Sequence, residues 1–142
     1  MALKVLLVDD EQDLLDIMSE RMRNRGMDVS TATSAQKALG MIENESYDAI
    51  ILDFMMPEMN GLETIKAIKA KKPELQIILL TGQATLEKGV EAMKLGAMDV
   101  MEKPADIEVL SDKIIKAGTK KSIIIEKRTK SHIKEILNKV GW

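Results

Sequence analysis

Apolar and polar positions along this chain follow two periods in turn. "KVLLVDD" (4–10) is a continuous apolar run cut off by charge, the pattern of a strand buried on both faces. Leu14, Leu15, Met18 and Met22 then recur three and four apart, which predicts a helix ended by Gly26. "MDVSTA" (27–32) predicts a second strand, and Ala35, Ala38, Leu39 and Ile42 a second helix with Ser34 as its N-cap. "DAIILD" (48–53) is the third strand. Pro57, Asn60 and Gly61 form a turn, and Leu62, Ile65 and Ile68 begin a third helix that Pro73 stops. "LQIILLT" (75–81) is the fourth strand, Leu86, Val90 and Met93 mark a fourth helix closed by Gly96, and "MDVMEK" (98–103) is the fifth strand. Asp106 opens a fifth helix carrying Ile107, Leu110 and Ile114.

Five strand–helix units imply parallel strands, because each helix is the crossover that parallel pairing requires. Residues 1–117 therefore predict one α/β domain, a parallel sheet with helices on both faces. After Ala117 the pattern changes. Ile124, Ile125, Ile133, Ile136, Leu137 and Val140 lie among charges, many of them three or four apart, and no Pro or Gly interrupts Thr119 to Val140. This predicts a C-terminal helical extension within residues 118–142, helical over about 120–139 and ended by Gly141.

Composition narrows the function classes. The length of 142 residues suits one domain with a core, and 45% hydrophobic with 31% charged residues is an ordinary soluble balance. With no cysteine there is no disulfide framework, thiol nucleophile or Cys-ligated zinc. Asp9 and Asp10 interrupt the apolar N-terminus, against a signal peptide, and no apolar run approaches the ~20 residues of a membrane span. A cytoplasmic protein without a membrane partner is expected.

Charge is unevenly placed. Residues 118–142 hold seven Lys or Arg against Glu126 and Glu135, a charge of +5, so within the net −2 residues 1–117 carry −7. Opposite signs favour the extension meeting the domain itself or a second protomer, which places a homodimer among the expected partners. The lysines have no accompanying aromatics, which argues against DNA binding. His132, the only histidine, reads as a surface residue.

The candidate chemistry sits where an open α/β sheet binds ligands, outside the carboxyl ends of its strands. Asp9 and Asp10 follow strand one, Asp53 ends strand three, Thr81 ends strand four and Lys103 ends strand five. Neighbouring carboxylates repel unless a cation joins them, and oxygen ligands of this kind suit Mg²⁺. Lys103 and Thr81, expected at the pocket rim, would donate to a tetrahedral anion. The set suits phosphoryl chemistry, with Asp53 as a carboxylate nucleophile. Singly, Asp10 could be a helix cap, Thr81 turn chemistry and Lys103 a solvated lysine; five such residues at one end of successive strands argue for a site. Met55, Met56 and Met59 read as loop packing, with Met56 a candidate contact for a partner protein.

"VLLVDDE" (5–11), "ILDFMMPEMNG" (51–61), "LLTG" (79–82) and "GAMDVMEKP" (96–104) together resemble the response-regulator receiver domain of two-component signalling, over residues 3 to about 117. The resemblance implies a doubly wound five-stranded parallel sheet of order 2-1-3-4-5. It implies that Asp53 accepts a phosphoryl group from a sensor histidine kinase or phosphotransfer protein. Mg²⁺ would be held by Asp10, Asp53 and the Met55 backbone carbonyl, with Asp9 acting through water. Lys103 would pair with a phosphoryl oxygen, the Lys103–Pro104 bond would be cis, and Thr81 would turn its hydroxyl toward the phosphoryl group. Met55 and Gln83 stand at positions that tune the lifetime of the phosphorylated state.

Two positions depart from the family's pattern. Val100 replaces the usual Tyr or Phe three residues before the lysine, and Ala105 replaces the Phe after Lys-Pro. Both thin the output face, which implies a read-out by backbone and loop movement toward an output protein the sequence does not name. The 25 residues after Ala117 are too few for a helix-turn-helix module, so a receiver acting alone by protein contacts is expected, and not an enzyme beyond its own phosphorylation and dephosphorylation. Rival readings are a Mg²⁺-dependent phosphatase with an aspartyl-phosphate intermediate, a nucleotide binder, and a receiver-shaped module that is never phosphorylated. Met55 stands where such phosphatases carry a second Asp as general acid, no glycine-rich loop follows strand one, and the intact Asp9, Asp10, Asp53, Thr81 and Lys103 count against the last.

Overall fold

The computed structural model describes residues 2–56, 60–82 and 86–141, and the side chains of all of these except Leu86 and Glu87. Five strands, β1 (Lys4–Val8), β2 (Asp28–Ala32), β3 (Ala49–Asp53), β4 (Gln76–Thr81) and β5 (Asp99–Glu102), pair in parallel in the order β2-β1-β3-β4-β5. The helices between and after them are α1 (Gln12–Asn24), α2 (Ala35–Asn44), α3 (Gly61–Lys71), α4 (Leu86–Lys94) and α5 (Ile107–Lys139).

Period-two alternation divides the core between the two sheet faces. Leu6, Val8, Ile50, Leu52, Ile77 and Leu79 pack with Ala38 and Ile42 of α2, Ile65 and Ile68 of α3 and Ala92 of α4. Val5, Leu7, Ile51, Ile78 and Leu80 point the other way, onto Leu15 and Met22 of α1 and Leu110, Ile114 and Ala117 of α5. With helices on both faces, every residue of β3 and β4 is buried, so these strands read as unbroken apolar runs.

Local signals place the helices. Ser34 Oγ accepts from the Lys37 amide, Asn60 Oδ1 from the Glu63 amide, and Asp106 Oδ1 from the amides of Glu108 and Val109, each satisfying N–H groups that a first turn leaves unpaired. Gly61 is required by a close approach: a Cβ there would lie 2.8 Å from Phe54 Cδ2 and 3.1 Å from the Phe54 carbonyl oxygen, which accepts from the Gly61 amide. That contact holds the start of α3 against the residue that follows β3.

The fifth helix runs without interruption from Ile107 to Lys139, 33 residues, straight through position 118. Its packing on the body also passes Ala117, since Gly118 and Lys121 are buried. Among the described residues no helix is long and apolar enough to cross a membrane.

Candidate functional site

The register of the sheet assembles the site. Val8 is level with Leu52, Asp53 with Leu80, and Thr81 with Glu102. Asp9 therefore emerges beside Asp53, and Thr81 and Lys103 emerge next along the same edge. A cleft of about 540 Å³ opens there, lined by Asp10, Glu11, Asp53, Phe54, Met55, Thr81, Gly82, Lys88 and Lys103.

Three carboxylates meet: ligand oxygens of Asp9, Asp10 and Asp53 all lie within 4.8 Å of one another. Asp9 and Asp53 are nearly enclosed, with side chains 4% and 6% exposed, while Asp10 faces solvent. Lys103 Nζ donates to Asp9 Oδ2 at 2.8 Å and stands 3.3 Å from Asp53 Oδ1. Backbone amides complete the cradle, Glu11 donating to Asp9 Oδ1 at 2.9 Å and Met55 to Asp53 Oδ1 at 3.3 Å. The amide of Lys103 donates to the Thr81 carbonyl at 2.7 Å, which locks the ends of β4 and β5 together. The Lys103–Pro104 peptide is cis.

The electrostatics are unbalanced. Burial, followed by the charge of Asp9, pushes the Asp53 carboxyl above its ordinary value, against the opposing pull of Lys103 and the Met55 amide. Burial works against the Lys103 ammonium, yet Asp9 and Asp53 outweigh it and hold its proton more firmly than usual. Only the Lys103 ammonium is in direct contact with this carboxylate cluster, touching Asp9 and Asp53, so acidic oxygen donors outnumber it there. That donor set fits Mg²⁺, a hard divalent ion that takes one or two carboxylates and keeps open positions for water and phosphate.

Several placements differ from expectation. Thr81 is buried rather than at the rim, because β4 is a central strand covered on both sides. Met56 is also buried, 8% exposed, and Met55 is the outward residue at 67%. The alternation of β3 explains this, since Ile50, Leu52, Phe54 and Met56 belong to one core and the intervening residues face away from it. Val100 packs, partly buried, against that same core. His132 is exposed on α5. Gln83 and Met59 lie outside the described residues.

Two contributors went unread in the sequence. Glu11 gives the backbone amide that fixes Asp9, and Lys88 brings a second ammonium to the cleft, 5.2 Å from the centre of the Phe54 ring. The proximity of Glu11 to "VDD" could have pointed to it. Lys88 sits in the first turn of α4, whose direction is set by packing and is not written in its spacing.

Comparison with known proteins gives a consistent result. The sequence pattern of the response regulator receiver domain matches residues 5–115. Transcriptional regulatory protein ZraR of Escherichia coli (strain K12) is 34% identical over 113 residues, covering 80% of this chain and 26% of that protein. Response regulator SaeR of Staphylococcus aureus (strain USA300) is 38% identical over 100 residues, covering 70% of this chain and 43% of that protein. The chain thus spans less than half the length of these relatives. Among solved structures, a response regulator receiver domain protein from Clostridium thermocellum superposes with a TM-score of 0.81 at 33% identity, covering 86% of this chain and 98% of that one.

Proposed function

The chain belongs to the response regulator receiver family, and on that footing we propose that it is a phosphorylatable signalling receiver with Asp53 as its acceptor. The observation that carries this reading is the placement of a nearly enclosed Asp53 beside Lys103 Nζ and two further carboxylates, in a cleft open to solvent.

A carboxylate oxygen of Asp53 attacks the phosphorus of a phosphohistidine on a sensor histidine kinase or phosphotransfer protein. A new O–P bond forms, the P–N bond breaks, and the imidazole keeps the bonding pair and takes up a proton. Asp10, Asp53 and the Met55 carbonyl would hold Mg²⁺, with Asp9 acting through water; the ion supplies charge neutralisation for the phosphoryl oxygens. Lys103, already aimed at Asp53, would follow the charge onto a phosphoryl oxygen, and the Thr81 hydroxyl would donate to another. Their movement changes the surface offered to an output protein. By the family's pattern, Met55 and Gln83 are the positions that set the lifetime of the aspartyl phosphate. Residues 1–117 form the receiver, and residues 118–142 a basic extension into which the last helix runs as far as Lys139.

The Met55 thioether has no proton to give a leaving group, so the site supports phosphorylation of itself rather than turnover of external phosphoesters. Beryllofluoride with Mg²⁺ mimics a phosphoryl group on a carboxylate and tests the pocket. Binding by the wild type and its loss in Asp53→Asn are expected; binding retained in Asp53→Asn would refute the assignment of Asp53.

A further inference from the structure

Outside the cleft, the feature with least support from its own body is the second half of α5. The helix packs through Leu110, Ile114, Ala117, Gly118 and Lys121. Its polar contacts with the body then run out. Lys121 Nζ donates to Ser46 Oγ at 2.7 Å and stands 3.7 Å from Asp48, and Arg128 reaches Glu74 at 3.3 Å. Among the described residues, Arg128 makes the last pairing with the body. From there to Lys139 the helix projects about 17 Å further, at 1.5 Å per residue.

Beyond the sheet the helix carries a second apolar stripe, turned roughly 80° from the face that packs on the body: at about 100° per residue Ile125, Ile133, Ile136 and Val140 all fall within an arc of about 80°. Each is 42–60% exposed. The unbroken helix carries this stripe away from its own sheet, so the chain's own body cannot cover it without breaking α5. A projecting helix of this length is marginal alone in water.

We infer that this stripe docks on the acidic body of a second copy of the chain, on the outer face of α1, with the contact made reciprocally. The charge argues for that occupant: the extension carries +5 and the body −7. The outer face of α1 has the complementary form, with Ile17 51% exposed beside exposed Asp13, Asp16 and Glu20. Those positions, i, i+3, i+4 and i+7, share one side of the helix. Lys130 and Lys139, on either flank of the stripe, meet those carboxylates while the isoleucines meet Ile17. The Arg128–Glu74 pair already shows the extension choosing an acidic partner on the body. A contact exchanged identically by two copies closes as a two-fold dimer.

Sedimentation equilibrium of the full chain, run over a range of concentrations and salt, tests this. Dimerisation that weakens with added salt is expected. Ile133→Asp with Ile136→Asp should weaken it at least about tenfold, the effect of losing a buried anchor. Asp16→Lys with Glu20→Lys, on the other face, should do the same, and circular dichroism checks that both variants remain folded. A chain that stays monomeric throughout overturns the proposal. So does a dimer indifferent to either double variant: one lost only with the stripe residues would be held extension to extension. These variants lie away from Asp53, so phosphorylation is a separate readout, and failure here leaves the receiver assignment standing.

Discussion

Replacing Lys103 by Met removes the ammonium between Asp9 and Asp53 and keeps most of the side chain's apolar length. Both carboxylates are nearly enclosed, and Nζ is 2.8 Å from one and 3.3 Å from the other. Stranding the partner of a buried ion pair typically costs about 3–5 kcal/mol. Here the lysine side chain is itself 21% exposed, so water replaces part of what is lost, and Asp53, already pushed up by burial and by Asp9, can relieve the rest by holding a proton. A loss of about 1–3 kcal/mol is expected in metal-free buffer. Mg²⁺ should narrow that deficit. Without the lysine the pocket is more negative, the ion binds more tightly, and each tenfold gain in affinity adds about 1.4 kcal/mol at saturating metal. Urea unfolding of wild type and Lys103→Met, with EDTA and with Mg²⁺, measures both quantities. A deficit below about 0.5 kcal/mol in EDTA would contradict the pairing, since that is the range of an ordinary surface substitution. An equal deficit with and without Mg²⁺ would contradict the claim that lysine and metal share the same carboxylates.

Other expectations follow from the same contacts. The Asp53 carboxyl is raised above 3.8 by burial and by Asp9, so the folded state holds its proton more tightly than the unfolded chain does. The penalty is absent at low pH and grows as pH rises through the window above that value. Asp53→Asn should therefore match wild type in acid and become the more stable of the two toward neutrality in EDTA, with the order narrowing or reversing in Mg²⁺; a pH series of urea midpoints checks the sign. Gly61→Ala would press a methyl to 2.8 Å from Phe54 Cδ2 and 3.1 Å from its backbone carbonyl, and should cost about 1–3 kcal/mol by thermal unfolding, as overpacking does. Gln83→Ala should change the decay rate of the aspartyl phosphate, followed by mass spectrometry, whereas an unchanged half-life would leave Gln83 without a kinetic role.

Much of this architecture is written in local spacing. The buried runs ending at Asp9, Asp53 and Thr81, and the short, partly exposed run before Lys103, mark strand ends, and parallel pairing alone brings those ends to one edge. Ser34, Asp106, Gly26 and Gly96 punctuate helices through chemistry that acts over a few residues, which is why a sequence reveals them. Burial at the site depends on neighbours distant in sequence. That Thr81 is enclosed follows from β4 lying between β3 and β5. Lys103 bonds Asp9, 94 positions away in the chain, as well as approaching Asp53, and no spacing rule encodes that choice. The inversion at Met55 and Met56 was accessible in principle, because it continues the alternation of Ile50, Leu52 and Phe54 beyond the strand. The continuity of α5 also had its signal in the absence of Pro from Ile107 to Lys139, whereas the pairing of Arg128 with Glu74 did not.

The acceptor assignment is tested most directly by incubating the intact chain with acetyl phosphate and Mg²⁺ and weighing it by mass spectrometry. Donation from this small acyl phosphate needs no partner protein, so the outcome reports on the pocket alone. One added phosphoryl group, dependent on Mg²⁺ and absent from Asp53→Asn, is the expected result. The same adduct on Asp53→Asn, or none on a folded wild-type chain with Mg²⁺ bound, would contradict the account.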